Sequence, residues 1–290
     1  MRMLGRRGAA LVAAVLLMPA TAGAQTSPTR PAQAPAGADQ WHVLPLGLLY
    51  DSYLAGDKEP RLSWSVLEEG PRGRVWETGV GLRVGLLRRG TSAVVDAEGW
   101  QVDLEGAAQL RLTPEDGNAL ESVDFRGGLW LTRRRGALAV KAGYYHLSAH
   151  LGDEFLLKYP DVVRIDYVRD SIVGGVMYDL TPTLQTYAEA GYAFVRHGGA
   201  EPIEIQMGAQ YTGTRYPGRR GTPVAAVNIH LREELKFRSS VNAILAWGWH
   251  SRETGHQVRA GVHGFTGRSM QYSSFSRSER LIGVGVWFDY

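Results

Sequence analysis

His146 and Ser148 stand two residues apart in the stretch from Gly143 to Phe155 (GYYHLSAHLGDEF), the densest run of reactive side chains in the chain. Residues two apart in a β-strand share a face, with Cα atoms about 6.6 Å apart. An imidazole and a hydroxyl at that spacing can lean into a hydrogen bond, which is how a serine becomes a nucleophile. A third group must then orient the imidazole. On the following strand, Asp166 and Asp170 share the parity of Ile172, Val176 and Tyr178, so both are expected on one face; Asp153 and Glu154 are loop alternatives, and His150 is a second imidazole beside Ser148. The competing reading makes His146, Ser148 and His150 polar residues where a strand leaves a membrane, with Tyr144 in the aromatic belt. A metal site built from His146, His150, Asp153 and Glu154 requires a helix, because strand positions four apart are about 13 Å apart. No metal and no cofactor is expected.

What must position these groups is a set of strands. Trp100, Val102, Leu104, Ala108, Leu110 and Leu112 face one way while Gln101, Asp103, Glu105, Gln109 and Arg111 face the other. Leu184 to Phe194 and Ile203 to Tyr211 alternate in the same manner. Such segments run over 62–67, 76–87, 100–112, 121–132, 137–150, 162–178, 183–196, 202–213, 223–235, 240–251, 256–267 and 280–290, separated by Gly, Pro or charged turns. The last carries Ile282, Val284, Val286, Phe288 and Tyr290 on one face and Gly283, Gly285 and Asp289 on the other. Only helices or closed barrels satisfy the backbone in lipid. The fold expected is therefore all-β, a transmembrane antiparallel β-barrel of about twelve strands, within a range of about ten to fourteen. Along β-strand 137–150 the even positions Leu138, Val140, Ala142 and Tyr144 are the lipid side, and His146, Ser148 and His150 continue it at the extracellular rim.

With both barrel ends in the periplasm, Arg133–Gly136, Leu180–Thr183 and Arg252–Gly255 are the expected short turns, and 151–161 and 268–279 the longer outer loops. The connections at 88–99 and 214–222 are long for turns, and 236–239 is short for a loop.

The remaining organisation is compositional. Residues 1–24 carry Arg2, Arg6 and Arg7, an apolar run from Ala9 to Met18 and the small residues Ala22-Gly23-Ala24, which read as a secretory signal peptide cleaved near Ala24. Those three arginines belong to the 32 basic residues and none of the 29 acidic ones lies there, so the mature chain is neutral and a nucleic-acid partner is not expected. Residues 25–40 read as a disordered linker, and 41–61 as an N-terminal segment docked at or inside the barrel of 62–290. Without cysteine there is no disulfide, thiolate site or cysteine nucleophile. The charges Arg83, Asp103, Glu105, Arg111, Asp124, Arg126, Lys141, Glu189, Glu204 and Glu234 mostly oppose the apolar face. Paired they would stiffen a plugged structural barrel; unpaired they would line a narrow small-solute channel. No phosphate-binding loop appears: Gly79-Val80-Gly81 and Gly283-Val284-Gly285 sit inside strands.

The alternating final strand with its terminal aromatic resembles the C-terminal strand of Gram-negative outer-membrane barrels, which implies recognition by the barrel assembly machinery and an outer-membrane location. His-x-Ser on the outer face, preceded by Gly-Tyr, resembles the outer-membrane phospholipase and lipid A deacylase families. That resemblance implies a serine-dependent lipid acyl-hydrolase with Ser148 as nucleophile and His146 as base, acting on lipopolysaccharide or phospholipid. Ala149-His150 follows the serine where the phospholipases have Asn-Gly, and no asparagine lies between 119 and 227, so a carboxylate would replace the orienting amide, as in the deacylases. LYDSYLAGDKEPR, WQVDLEGAAQLRL, VDFRGGLWL and the His-x-Ser stretch together resemble domain-of-unknown-function family 1207 from about Trp41 to Tyr290. This implies a barrel in the outer membrane and brings no activity with it.

Overall fold

The computed structural model describes residues 39–214 and 220–290. The expected signal peptide, and all of the expected linker except its last two residues, lie outside the described residues.

Among the described residues thirteen strands form one antiparallel sheet: β1 (Gln40–Val43), β2 (Leu62–Glu68), β3 (Arg74–Gly90), β4 (Gly99–Thr113), β5 (Ala119–Arg135), β6 (Leu138–Leu151), β7 (Tyr167–Thr181), β8 (Leu184–His197), β9 (Ile203–Thr212), β10 (Thr222–Arg232), β11 (Ser240–His250), β12 (Gln257–Arg268) and β13 (Ser278–Asp289). Each of β2 to β13 pairs with its sequence neighbour, and β13 pairs with β2, so twelve strands close on themselves. Closure is tilted. Following paired residues around the wall from Gly90 at one end of β3, through Gly99, Arg134, Ala139, Met177, Tyr187, Gly208, Asn228, Asn242 and Phe265, leads to Leu281. That position is one residue above the Ile282–Glu68–Arg74 row, at the opposite end of β3. A stagger of this kind is what barrel closure demands of twisted strands. Among the described residues no helix is long and apolar enough to cross a membrane.

Sidedness follows the two-residue period. Leu104, Phe125, Leu129, Ile172, Phe194, Ile282 and Val284 are exposed on the outer wall, while Asp103, Arg111, Asp124 and Ser171 are completely buried inside it. An apolar exterior around a polar interior is stable only if hydrocarbon surrounds the cylinder.

The interior is filled rather than open. β1 adds to the wall beside the end of β3, and the chain after it enters the lumen, where Leu49, Tyr50, Tyr53, Leu54 and Ala55 are buried. Tyr53 stacks on Tyr187 with ring centroids 3.8 Å apart and donates to Glu189 (2.9 Å). Lys58 pairs with Asp124 (2.6 Å), and Arg61 with Asp289 (3.0 Å), while Arg61 and Arg259 both donate to the Leu54 carbonyl. The wall charges are paired as well: Arg83 with Asp103 (2.7 Å), Arg126 with Glu105 (2.8 Å), Lys141 with Glu189 (2.5 Å) and Arg111 with Glu279 (2.6 Å). Buried ions demand such partners, and the inserted segment supplies several of them. Glu234 lies outside the strands, in the turn after β10, where it pairs with Arg232 (3.5 Å).

Several boundaries differ from expectation, three of them near the site. β5 continues through Arg135, so Arg133 belongs to the wall and the turn shrinks to Gly136 and Ala137. β7 begins at Tyr167, so 162–166 is loop; Pro160 interrupts extended pairing just upstream. Residues 151–161 contain a short helix, α1 (Asp153–Lys158).

Candidate active site

The reactive groups sit where β6 and β7 approach the barrel end that carries α1. The strand pairing puts His146 opposite Asp170, Ser148 opposite Val168 and Tyr144 opposite Ile172. All six positions belong to the outward parity, and His146, Ser148 and Asp170 are half-buried.

Asp170 organises the cluster. Its Oδ1 lies 2.7 Å from Nδ1 of His146 and accepts a second hydrogen bond, also 2.7 Å, from the Tyr144 hydroxyl. A carboxylate only accepts, so Nδ1 of His146 carries a proton, and in the neutral imidazole the lone pair is then on Nε2. Two strong donors on one oxygen offset the cost of a carboxylate on a lipid-facing wall. The aspartate's own strand neighbour is irregular: Asp170 pairs with Val195 while Ser171 pairs with Ala193, so Phe194 is an extra residue in β8. A bulge of this kind bends the strand and re-aims nearby side chains. Phe194 is exposed here, with its ring 6.2 Å from that of Tyr144.

Ser148 lies between Phe125 of β5 and Val168 of β7. Among the described residues no hydrogen bond joins its Oγ to His146 or to His150. The His150 ring instead packs against Phe125, with centroids 6.0 Å apart. The structure thus brings together Tyr144, His146, Ser148 and Asp170 on one outer face. It keeps the other candidate carboxylates apart. Asp166 is exposed in the loop before β7 and pairs with Arg164 (3.0 Å), because β7 starts one residue later. Asp153 and Glu154 occupy the exposed first turn of α1 and make no hydrogen bond to either histidine. The helix begins after His150, so both imidazoles stay in the strand, and no group of three His, Cys, Asp or Glu capable of holding a metal occurs among the described residues.

Sequence reasoning placed Tyr144 only in the aromatic belt and missed its bond to Asp170. Its parity, shared with His146, was the available signal. The bulge at Phe194 left no comparable trace, since one extra residue near a strand end does not disturb the alternation before it.

The model of the DUF1207 family, described as proteins of unknown function, matches residues 93–290. The chain belongs to that family. Among solved structures, it is similar to outer membrane phospholipase A from Escherichia coli, with a TM-score of 0.55 and 11% identity, covering 79% of this chain and 89% of that one. It is similar also to the Salmonella typhi outer membrane phospholipase dimer with bound calcium, with a TM-score of 0.53, 11% identity, and 79% and 90% covered. No curated protein matches the chain in sequence. At these identities the likeness is one of fold, and that fold is the outer-membrane β-barrel.

Proposed function

We propose that this protein resides in the outer membrane of a Gram-negative-type bacterium and hydrolyses acyl esters of an outer-leaflet lipid. The observation that carries the proposal is the 2.7 Å bond from His146 Nδ1 to Asp170, with Ser148 two residues along the same lipid-facing strand. Rotation of the Ser148 side chain toward the unprotonated Nε2 lets the imidazole take the hydroxyl proton as Oγ attacks the ester carbonyl. The same proton then passes to the leaving alcohol, giving an acyl-enzyme. Water, deprotonated at Nε2, releases the fatty acid and restores the serine. Asp170 holds the productive tautomer, and Tyr144 holds Asp170. Likeness of fold to outer membrane phospholipases supports the reaction class. Phospholipid and lipopolysaccharide are both candidate substrates. Cleavage near Ala24 and recognition of β13 by the barrel assembly machinery belong to the same proposal.

A second reading, a non-enzymatic structural barrel, is favoured by the filled, ion-paired lumen, which serves stability without any chemistry outside. The experiment is fatty-acid release by purified protein from phospholipid vesicles and from lipopolysaccharide. The wild type is expected to act on one of them and Ser148→Ala on neither. A folded wild type inactive on both would leave the structural barrel standing.

A further inference from the structure

At the opposite end of the outer wall, four side chains from four strands share one row. Trp41 of β1 pairs with Arg89 of β3, Arg89 with Trp100 of β4, and Trp100 with Arg133 of β5. The Arg89 guanidinium lies 5.8 Å from the Trp41 ring centroid, and that of Arg133 lies 4.8 Å from Trp100. Arg135 continues the face two residues beyond Arg133, and all five side chains are exposed. Arg89 is paired with Asp39 (3.0 Å). Among the described residues, Arg133 and Arg135 have no carboxylate within 4.0 Å.

Depth decides what can neutralise them. On β5, Phe125 beside Ser148 and Arg133 are eight residues apart, about 26 Å along the strand. Leu129 and Leu131 face outward between them. A strand tilt of about 35–45° reduces that span to about 20 Å of height, and Arg135, two residues further on, lies about 25 Å from the Phe125 level, the height of a barrel's apolar band. Arg133 and Arg135 therefore stand where hydrocarbon gives way to headgroups, on the side where the barrel begins and ends. Tryptophan prefers the same level. A guanidinium there, without a protein carboxylate, matches a phosphate in charge and in the geometry of its donor fork.

We propose that this Trp-Arg-Trp-Arg row with Arg135 binds the phosphate headgroup of an anionic phospholipid in the periplasmic leaflet. Arg133 and Arg135 grip the phosphate, and Trp100 and Trp41 lie along the boundary with the acyl chains. Ligand binding here fixes how deep the barrel sits and does not depend on any chemistry at Ser148.

Native mass spectrometry of the full chain, folded in non-ionic detergent and titrated with phosphatidylglycerol or phosphatidylcholine, tests the site. The wild type should retain phosphatidylglycerol at concentrations where phosphatidylcholine is lost. Arg133→Gln with Arg135→Gln should weaken phosphatidylglycerol binding about 30-fold, and the double lysine substitution much less. Heat-modifiable mobility on gels establishes that each variant is folded; if the double glutamine variant is not, Arg135→Gln alone is expected to weaken binding about fivefold. Equal wild-type affinity for the two lipids, undiminished phosphatidylglycerol binding by a folded glutamine variant, or displacement of the lipid by equimolar inorganic phosphate would each overturn the proposal.

Discussion

Asp170→Ala removes the acceptor that holds the His146 tautomer and leaves Ser148 and His146 in place. The lost bond is a short, charge-assisted contact of 2.7 Å. Hydrogen bonds to charged groups contribute about 1.5–3 kcal/mol, which corresponds to a rate loss of roughly 10- to 150-fold if the bond serves only to orient the base. The two partners' side chains are 44% and 19% exposed, so the lower half of that range is expected where water can replace the carboxylate. Asp170→Asn separates orientation from charge, because its carbonyl oxygen can still accept from Nδ1 and from Tyr144. The asparagine variant should therefore retain most of the activity that the alanine variant loses. The assay is fatty-acid release at saturating and limiting lipid, with barrel integrity checked by heat-modifiable mobility. A positioning role predicts a fall in kcat with KM nearly unchanged. A folded Asp170→Ala protein turning over at the wild-type rate would refute the role assigned to the carboxylate.

Two further outcomes concern the scaffold. Arg111 is completely buried and donates to Glu279 at 2.6 and 3.0 Å and to Glu77 as well. Arg111→Met should destabilise the barrel by about 3 kcal/mol, the low end for a broken buried pair, since Arg277 still serves Glu279 (2.5 Å); urea titration followed by gel mobility checks this. Outside the membrane, Asp116 accepts from Lys158 and from Tyr159 (2.9 Å), which holds its carboxyl below 3.8, while the same contact raises Lys158 above 10.5. The Asp116 contribution is thus present above pH 3.8 and lost as pH falls through its lowered value. That of Lys158 is present below pH 10.5 and lost as pH rises through its raised value. Hydrogen exchange in α1, corrected for intrinsic rates, should therefore be slowest between these limits, and constant protection across them would exclude the clasp.

The closed cylinder was legible because its cause is local. Each strand must show apolar residues to lipid every second position, and that alternation is written into segments such as Trp100–Leu112 without reference to any partner. The outward placement of Ser148 follows from the same rule. What alternation cannot encode is which interior charges meet. Arg111 and Glu279 are 168 residues apart, and Lys58 finds Asp124 only because the N-terminal segment turns into the lumen. Strand ends are also weakly written: Arg133 and Arg135 alternate with Arg134, so the run of three arginines reads as a turn although Arg134 faces inward to Asp51 and Asp179. Asp166 and Asp170 stayed alternatives for the same reason, because where β7 begins decides between them.

The inner and outer faces of β6 and β7 cooperate even though their side chains never meet. Between the outward Tyr144, His146 and Ser148 lie Tyr145 and Leu147, both buried; Tyr145 bonds to Glu204 and carries the Arg126 guanidinium 4.3 Å from its ring. Either side of Asp170, Arg169 and Ser171 are completely buried and joined by a 3.2 Å hydrogen bond, with Arg169 reaching Glu204 (3.4 Å) and the Tyr167 hydroxyl (3.3 Å). Each polar residue of the outer cluster is thus flanked along its own strand by residues locked into the lumen. Rigid backing of this kind matters more on a membrane-facing surface than in a cleft, because lipid supplies no fixed wall to hold a catalytic geometry. A filled lumen and an exposed reactive face are therefore two consequences of one alternating pattern, the first fixing the backbone from which the second projects.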